Sequence, residues 1–209
     1  MRTTLSIRTD SIEAQRRSGR VRGSLAALAA GLLLLLMPSD GRAQHFPFRT
    51  LTIDDGLAQS QATTLYQDSR GYLWIGTYAG GLSRFDGHQF VQYSRRHGLP
   101  SSHIRAVVED RHGTLWVGTA RGAARLEGAT VRPVPLGGAE ADVYALVEDR
   151  DGTLWFGTDR GLFRLRGASR GAPPRQDAPT PERIAPGVLP SEPVYALAED
   201  AAGRLWAGT

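Results

Sequence analysis

The 209-residue chain contains no cysteine, no lysine and no asparagine. Without cysteine there is no disulfide frame, no thiol chemistry and no Cys-ligated metal, so a folded domain must be stable by packing alone. The missing lysine removes the phosphate-loop lysine and Schiff-base catalysis, and the missing asparagine removes the N-glycosylation acceptor. Histidine is sparse too, and His45, His88, His97, His103 and His112 show no metal-ligand spacing. No cofactor is expected. All 25 basic residues are arginine, and seven of them lie in residues 1–43 beside only three of the 21 acids. The remainder balances at 18 against 18, so the basic pI of about 9.9 belongs to the N-terminal segment. Nucleic-acid binding, which needs basic residues gathered on a folded face, is disfavoured.

That N-terminal segment opens with Arg2, Arg8, Arg16, Arg17, Arg20 and Arg22, followed by apolar Leu25 to Met37 and then Gly41-Arg42-Ala43. Basic, apolar, small-x-small is the layout of a secretory signal peptide over 1–43, cleaved between Ala43 and Gln44. The apolar stretch has 13 residues, short of the roughly 20 that span a bilayer. An uncleaved anchor is the alternative. Either way, residues 44–209 are expected to be exported.

Within them one phrase, Asp-x-x-Gly-x-Leu-Trp-x-Gly-Thr, is written four times. Its framework residues are Asp68, Gly71, Trp74 and Gly76; Asp110, Gly113, Trp116 and Gly118; Asp149, Gly152, Trp155 and Gly157; and Asp200, Gly203, Trp206 and Gly208. All four tryptophans sit here, at steps of 42, 39 and 51 residues, and a strand-bearing period of about 40 to 50 marks propeller blades. Asp with Gly three residues on suits a tight turn, because Asp bonds its own backbone and Gly accepts positive φ. An apolar run precedes each turn, as in Val143 to Val147, and strands such as Leu154 to Thr158 and Gly161 to Leu165 follow it. A less regular fourth strand comes next, and Pro133 places that strand at a sheet edge because proline cannot donate to a ladder.

The fold class read from this is all-β: a partial β-propeller of four-stranded antiparallel blades with the last blade incomplete. The repeats run over about 61–100, 101–139, 140–190 and 191–209, as the N-terminal part of a longer protein. Near-continuous apolar strands require burial on both faces, which stacked blades provide, and the tryptophans are expected to fill the gaps between blades. Phe46 to Ile53 reads as a further strand, able to complete a ring. The Pro-rich stretch from Gly167 to Pro190 reads as a surface loop.

Val-x-Ala-Leu-x-Glu-Asp-x-x-Gly-x-Leu-Trp-x-Gly-Thr, followed by Gly-Leu-x-Arg-Phe-Asp-Gly as at Gly81 to Gly87, resembles the two-component regulator propeller repeat. So does the opening segment Leu51 to Ala62. The resemblance implies a periplasmic seven-bladed sensor propeller, commonly one of two in tandem. In that family a small β domain, a membrane helix and a cytoplasmic histidine kinase or diguanylate cyclase typically follow. It therefore implies the input domain of an inner-membrane receptor, homodimeric when full length, with membrane attachment through a C-terminal part. A propeller glycoside hydrolase and a plain protein-interaction scaffold are the alternatives.

Other patterns read as framework. Gly167-x-Ser169-x-Gly171 matches a nucleophile elbow, but Pro173 and Pro174 forbid the helix it needs and no His follows Ser169. Asp149-x-Asp151 lacks the Gly and Glu of a calcium loop, having Leu154 and Arg160 in their places. Tyr66, Tyr144 and Tyr195 read as equivalent, with Val107 in that slot in the second repeat, either packing between blades or lining the channel. The ligand is expected where the segments before each first strand converge, at 58–63, 100–104, 139–143 and 189–194. Gln59, Gln61, Ser102, His103, Asp142 and Glu192 there would suit a small polar ligand or saccharide.

Overall fold

The computed structural model describes residues 48–138, 140–167, 180–184 and 192–209. The leader with its expected cleavage point at Ala43 and Gln44, His45 and the Ser169 motif lie outside the described residues.

Each repeat folds as its own antiparallel sheet. The first contains β1 (Ala62–Gln67), β2 (Leu73–Thr77), β3 (Leu82–Phe85) and β4 (Phe90–Tyr93) in chain order. The second contains β5 (Ile104–Glu109), β6 (Leu115–Thr119), β7 (Gly122–Glu127) and β8 (Thr130–Val134), and the third β9 (Val143–Glu148), β10 (Leu154–Thr158), β11 (Gly161–Leu165) and β12 (Glu182–Arg183). The fourth sheet has two strands, β13 (Ala196–Glu199) and β14 (Leu205–Gly208). Pro133 lies in β8, which among the described residues pairs only with β7, as an edge-strand proline must.

The core lies between sheets. Trp74, Leu82 and Tyr93 of the first sheet pack with Ile104, Val107 and Val117 of the second, and Trp116 and Ala123 pack with Val143, Leu154 and Phe156 of the third. Trp74 and Trp116, each packed between two four-stranded sheets, are 1% exposed, Trp155 beside the two-stranded fourth sheet is half-buried, and Trp206, with no sheet beyond it among the described residues, is 59% exposed.

The two glycines of the repeated phrase do different work. Gly71, Gly113, Gly152 and Gly203 hold φ of 86°, 81°, 78° and 80°, closing the turn between the first two strands of each sheet. The second glycine is there for a close approach. A Cβ on Gly118 would lie 2.8 Å from Val143 Cγ1, one on Gly157 3.0 Å from Val194 Cγ1, and one on Gly76 2.6 Å from Ile104 Cγ2. The glycine of each second strand thus makes room for the residue that leads the next sheet.

Glutamates tie successive turns together. Glu109 accepts from Ser69 N (2.6 Å) and Ser69 Oγ (2.9 Å), Glu148 from Arg111 N (2.8 Å) and Nε (2.9 Å), and Glu199 from Arg150 N (3.1 Å). In each case the last residue of one inner strand holds the turn of the preceding sheet.

Two expectations are corrected. Residues 48–52 form no strand, and Ile53–Asp55 is a single 3-10 turn, closed by Asp55 accepting from Thr52 N (2.8 Å) and by Gly56 at φ 104°. Local side-chain hydrogen bonding took the backbone that a ladder would have used. The Pro-rich stretch also supplies a strand. Glu182–Arg183 pairs with Arg164 and Phe163 as the fourth strand of the third sheet, and Arg164 Nε donates to Glu182 Oε1 at 2.5 Å.

Candidate ligand-binding face

β1, β5, β9 and β13 pack in succession, which puts them on the side of the sheets toward the propeller axis. Their N-terminal ends share one face with the hairpins that join second to third strands. Each such hairpin is held by a fully buried threonine: Thr77 Oγ1 donates to Gly81 O, Thr119 Oγ1 to Gly122 O and Thr158 Oγ1 to Gly161 O, all at 2.8 Å.

The first three inner strands are bulged at their starts. The pairing passes from Ala62 to Thr64, from Ile104 to Ala106 and from Val143 to Ala145, so Thr63, Arg105 and Tyr144 oppose nothing on the second strand. A bulge re-aims the extra side chain. Tyr195 holds the same place in the fourth sheet, where its N–H donates to Gly208 O at 2.8 Å. Equivalence therefore joins Thr63, Arg105, Tyr144 and Tyr195. Tyr66 faces Trp74 as Val108 faces Trp116 and Ala198 faces Trp206, which corrects the grouping of Tyr66 with the other tyrosines and of Val107 with their slot.

Each re-aimed side chain reaches the next sheet. Thr63 Oγ1 donates to Ile104 O at 2.7 Å. Arg105 grips Asp142 with two bonds, Nε to Oδ1 at 3.0 Å and Nη2 to Oδ2 at 2.7 Å, and lies over the Tyr144 ring at 5.1 Å. The Tyr144 and Tyr195 ring centres are 4.9 Å apart, tilted by 44°. Burial, then the Asp142 charge, holds the Tyr144 phenol above its usual range. His103 stacks on exposed Tyr78 with centroids 4.4 Å apart. Burial and then the Arg105 charge hold His103 below the usual imidazole value, with Asp142 opposing them.

The residues expected on this face divide into two groups. Asp142 and His103 come together around Arg105, and Asp142 is further tied to the adjacent hairpin by its N–H to Asp159 Oδ1 (2.9 Å). Gln59, Ser102 and Gln61 serve the framework: Gln59 Oε1 accepts from Ala79 N (2.8 Å), Ser102 O from Gly81 N (2.9 Å) and Gln61 O from Tyr78 N (3.1 Å). The Gln61 side chain and Glu192 are exposed. Ala139, Leu189, Pro190 and Ser191 lie outside the described residues. Among the described residues no three His, Asp or Glu side chains gather as a metal site.

Antiparallel four-stranded sheets stacked through their faces, with first strands side by side, define a β-propeller domain. The family model for the two component regulator propeller matches at residues 56–79, 98–121, 137–160 and 188–209, once per sheet. In its repeats the chain belongs to that family. A 49-residue stretch is 47% identical to Histidine kinase P4 of Formosa agariphila, covering 23% of this chain and 4% of that one. The fold is shared with the extracellular domain of a hybrid two component system from B. thetaiotaomicron, at TM-score 0.63 and 20% identity over 78% of this chain and 22% of that one. A second such domain from B. thetaiotaomicron gives 0.58 and 23% over 71% and 20%. Virginiamycin B lyase from Staphylococcus aureus gives 0.54 and 16% over 70% and 48%. The chain thus spans less than half the length of each of these proteins, and the structural likeness is one of fold.

Proposed function

We propose that the chain is the extracytoplasmic ligand-sensing input domain of a membrane-bound signal-transduction receptor, dimeric when full length, whose output is a histidine kinase or a diguanylate cyclase. The observation that carries this reading is the fourfold match to the two component regulator propeller, one match per sheet. The histidine kinase output draws support from the stretch shared with Histidine kinase P4. Export draws support from the extracellular relatives and from the signal-peptide layout of residues 1–43. A hydrolase reading is weaker, because both oxygens of Asp142 on the candidate face are engaged by Arg105.

Two measurements test the proposal. Alkaline phosphatase fused after Thr209 should be active, as it is only outside the cytoplasm, and an inactive fusion of normal abundance overturns export. Substitution scanning of the full-length protein, read by signalling output at constant expression, should concentrate defects at 58–63, 100–104, 140–143 and 192–194. Defects spread evenly over all loops overturn ligand sensing at this face.

A further inference from the structure

The third strand of each four-stranded sheet carries an arginine opposite the repeated tryptophan: Arg84 against Trp74, Arg125 against Trp116 and Arg164 against Trp155. Two of the three are neutralised within their own sheet. Arg125 Nε lies 3.2 Å from Glu127 Oε1, and Arg164 Nε donates at 2.5 Å to Glu182 Oε1, from the residue opposite it on the fourth strand. The first sheet differs at both places. Asp86 stands where Glu127 stands in the second sheet but is one methylene shorter, and its Oδ1 accepts from His88 N and Gln89 N of its own turn, both at 2.8 Å. Val91 is opposite Arg84 where Glu182 is opposite Arg164. Among the described residues no carboxylate pairs with Arg84, and its Nε is the one buried side-chain nitrogen or oxygen with no hydrogen-bond partner.

The Arg84 guanidinium lies over the Tyr72 ring at 4.6 Å and 6.0 Å from the Trp74 ring centre. Arg70 approaches the same Tyr72 ring at 5.6 Å, yet it has a carboxylate of its own, with Asp68 Oδ2 3.5 Å from Arg70 Nη2. One positive charge is thus left over, on a half-buried arginine whose Nε is covered while its terminal nitrogens are not.

We propose that Arg84, with Tyr72 and Val91 beside it, is a binding site for a small organic monocarboxylate. The site lies toward the end of the first sheet that carries the Asp68 to Gly71 turn, away from the candidate ligand face, and does not depend on the ligand-sensing reading.

The chemistry selects that class. Ring faces attract a cation but offer no acceptor to its N–H groups, whereas an anion does both. At a half-buried guanidinium the attraction is screened less than at an exposed one. Nη1 and Nη2 present parallel N–H groups, the fork that matches both oxygens of a planar carboxylate. Net charge decides between anions. A monoanion neutralises the single unmatched charge, but sulfate or doubly ionised phosphate would bring a second negative charge close to Asp68 and Asp86. Chloride has the charge without the two-point geometry. Half-buried Tyr72 and Val91 give the organic body an apolar wall.

The test titrates the purified full-length protein by calorimetry with propionate, benzoate and glucuronate, and with chloride, sulfate and phosphate, at constant ionic strength. At least one monocarboxylate should bind saturably and more tightly than the three inorganic anions. Arg84→Gln should weaken it by about ten-fold or more, and Arg84→Lys, which keeps the charge without the fork, by about three-fold or more. Arg125→Gln, at an arginine already paired with Glu127, should stay within about two-fold of wild type. Val91→Glu sets a carboxylate opposite Arg84 as Glu182 is set opposite Arg164, so it should abolish the binding that Val91→Gln, of the same size and uncharged, retains. Melting temperatures report whether each variant is folded, and where one substitution unfolds the protein the series at the other position decides. No saturable binding of a monocarboxylate, tighter binding of sulfate or phosphate, an affinity unchanged in Arg84→Gln, or equal binding by Val91→Glu and Val91→Gln each overturn the proposal. Glucuronate binding that survives Arg84→Gln, with no other acid depending on Arg84, overturns it too and places the uronate on another face.

Discussion

Asp110 and Trp116 are one structural unit: Trp116 Nε1 donates to Asp110 Oδ2 at 2.9 Å, while Asp110 Oδ1 accepts from His112 N at 3.0 Å and Thr114 N at 2.9 Å. The turn and the inter-blade indole are thereby locked by one carboxylate. The same arrangement recurs at Asp68 with Trp74, Asp149 with Trp155 and Asp200 with Trp206. The six-residue spacing is therefore a hydrogen-bonded unit, beyond any separate preference for Asp in turns and Trp in cores.

Asp110→Ala strips three donors of their acceptor in a site where Asp110 is 4% exposed and Trp116 1%. Unsatisfied buried donors cost about 1 to 3 kcal/mol each, partly offset by relaxation, so a loss of about 3 kcal/mol or more is expected in urea unfolding. Asp200→Ala, at a unit whose indole is 59% exposed in this chain, should cost clearly less, since water replaces the lost acceptor. Equal costs at the two sites would contradict the role of burial by a following sheet.

Gly118→Ala is expected to destabilise by about 1 to 3 kcal/mol through overpacking, because the new methyl meets Val143 Cγ1 at 2.8 Å and Val143 O at 2.9 Å. Val143→Ala removes the first contact and leaves the second, so the double variant should lose somewhat less than the sum of the single ones. At Gly76 the three nearest atoms belong to the Thr64 and Ile104 side chains. Ile104→Ala removes only the contact at 2.6 Å and leaves Thr64 Cγ2 at 2.5 Å and the residue 104 Cβ at 2.9 Å, so Gly76→Ala with Ile104→Ala should likewise lose only somewhat less than the sum of the single variants. Double-mutant cycles read by thermal unfolding measure both.

The blades themselves were legible in the sequence, because Asp-to-Gly turn chemistry and the Trp period are local signals that tertiary structure then used unchanged. The positive φ at Gly71, Gly113, Gly152 and Gly203 is a case in point. What stayed hidden depends on register or on a neighbouring sheet. The bulge at Arg105 and Tyr144 shifts the alternation by one residue, which is why Tyr66 reads as equivalent to Tyr144 although the ladder pairs it with Trp74 and so makes Val108 its counterpart. The glutamate before three of the four repeated Asp gave a signal by recurring at 109, 148 and 199. Its role needed the preceding sheet to be in place. Residues 48–52 carry strand-like composition without a ladder partner, and Glu182–Arg183 gains one across a Pro-rich stretch.

The glutamate links to Arg111 and Arg150 should behave as partly screened ion pairs. Arg111 reaches Glu148 through its backbone N and its guanidinium, with side-chain exposures of 42% and 11%. An Arg111→Ala and Glu148→Ala cycle should give a coupling of about 0.5 to 1 kcal/mol that shrinks in 1 M salt, where the Debye length is roughly 3 Å. A salt-independent coupling would assign the contact to packing of the arginine stem.

The pH response of the last repeat follows from Asp200, whose carboxyl is held down from the usual 3.8 to about 2. Its largest cause is the hydrogen bond from Trp206 Nε1, followed by the Arg204 backbone N–H, with burial opposing both. A depressed folded value means that the stability it confers is present above pH 3.8 and is lost as pH falls toward about 2. The indole N–H resonance of Trp206 should accordingly titrate with a midpoint near 2. Trp206→Phe removes the leading cause, so the Asp200 carboxyl resonance in that variant should move its midpoint up toward 3.8. Arg204→Gln keeps the backbone donor and loses the guanidinium bond of 2.7 Å, and should move it less. A wild-type midpoint already at 3.8 would show that none of these bonds holds the carboxyl down, and a larger shift in Arg204→Gln than in Trp206→Phe would show that the exposed arginine rather than the indole governs it.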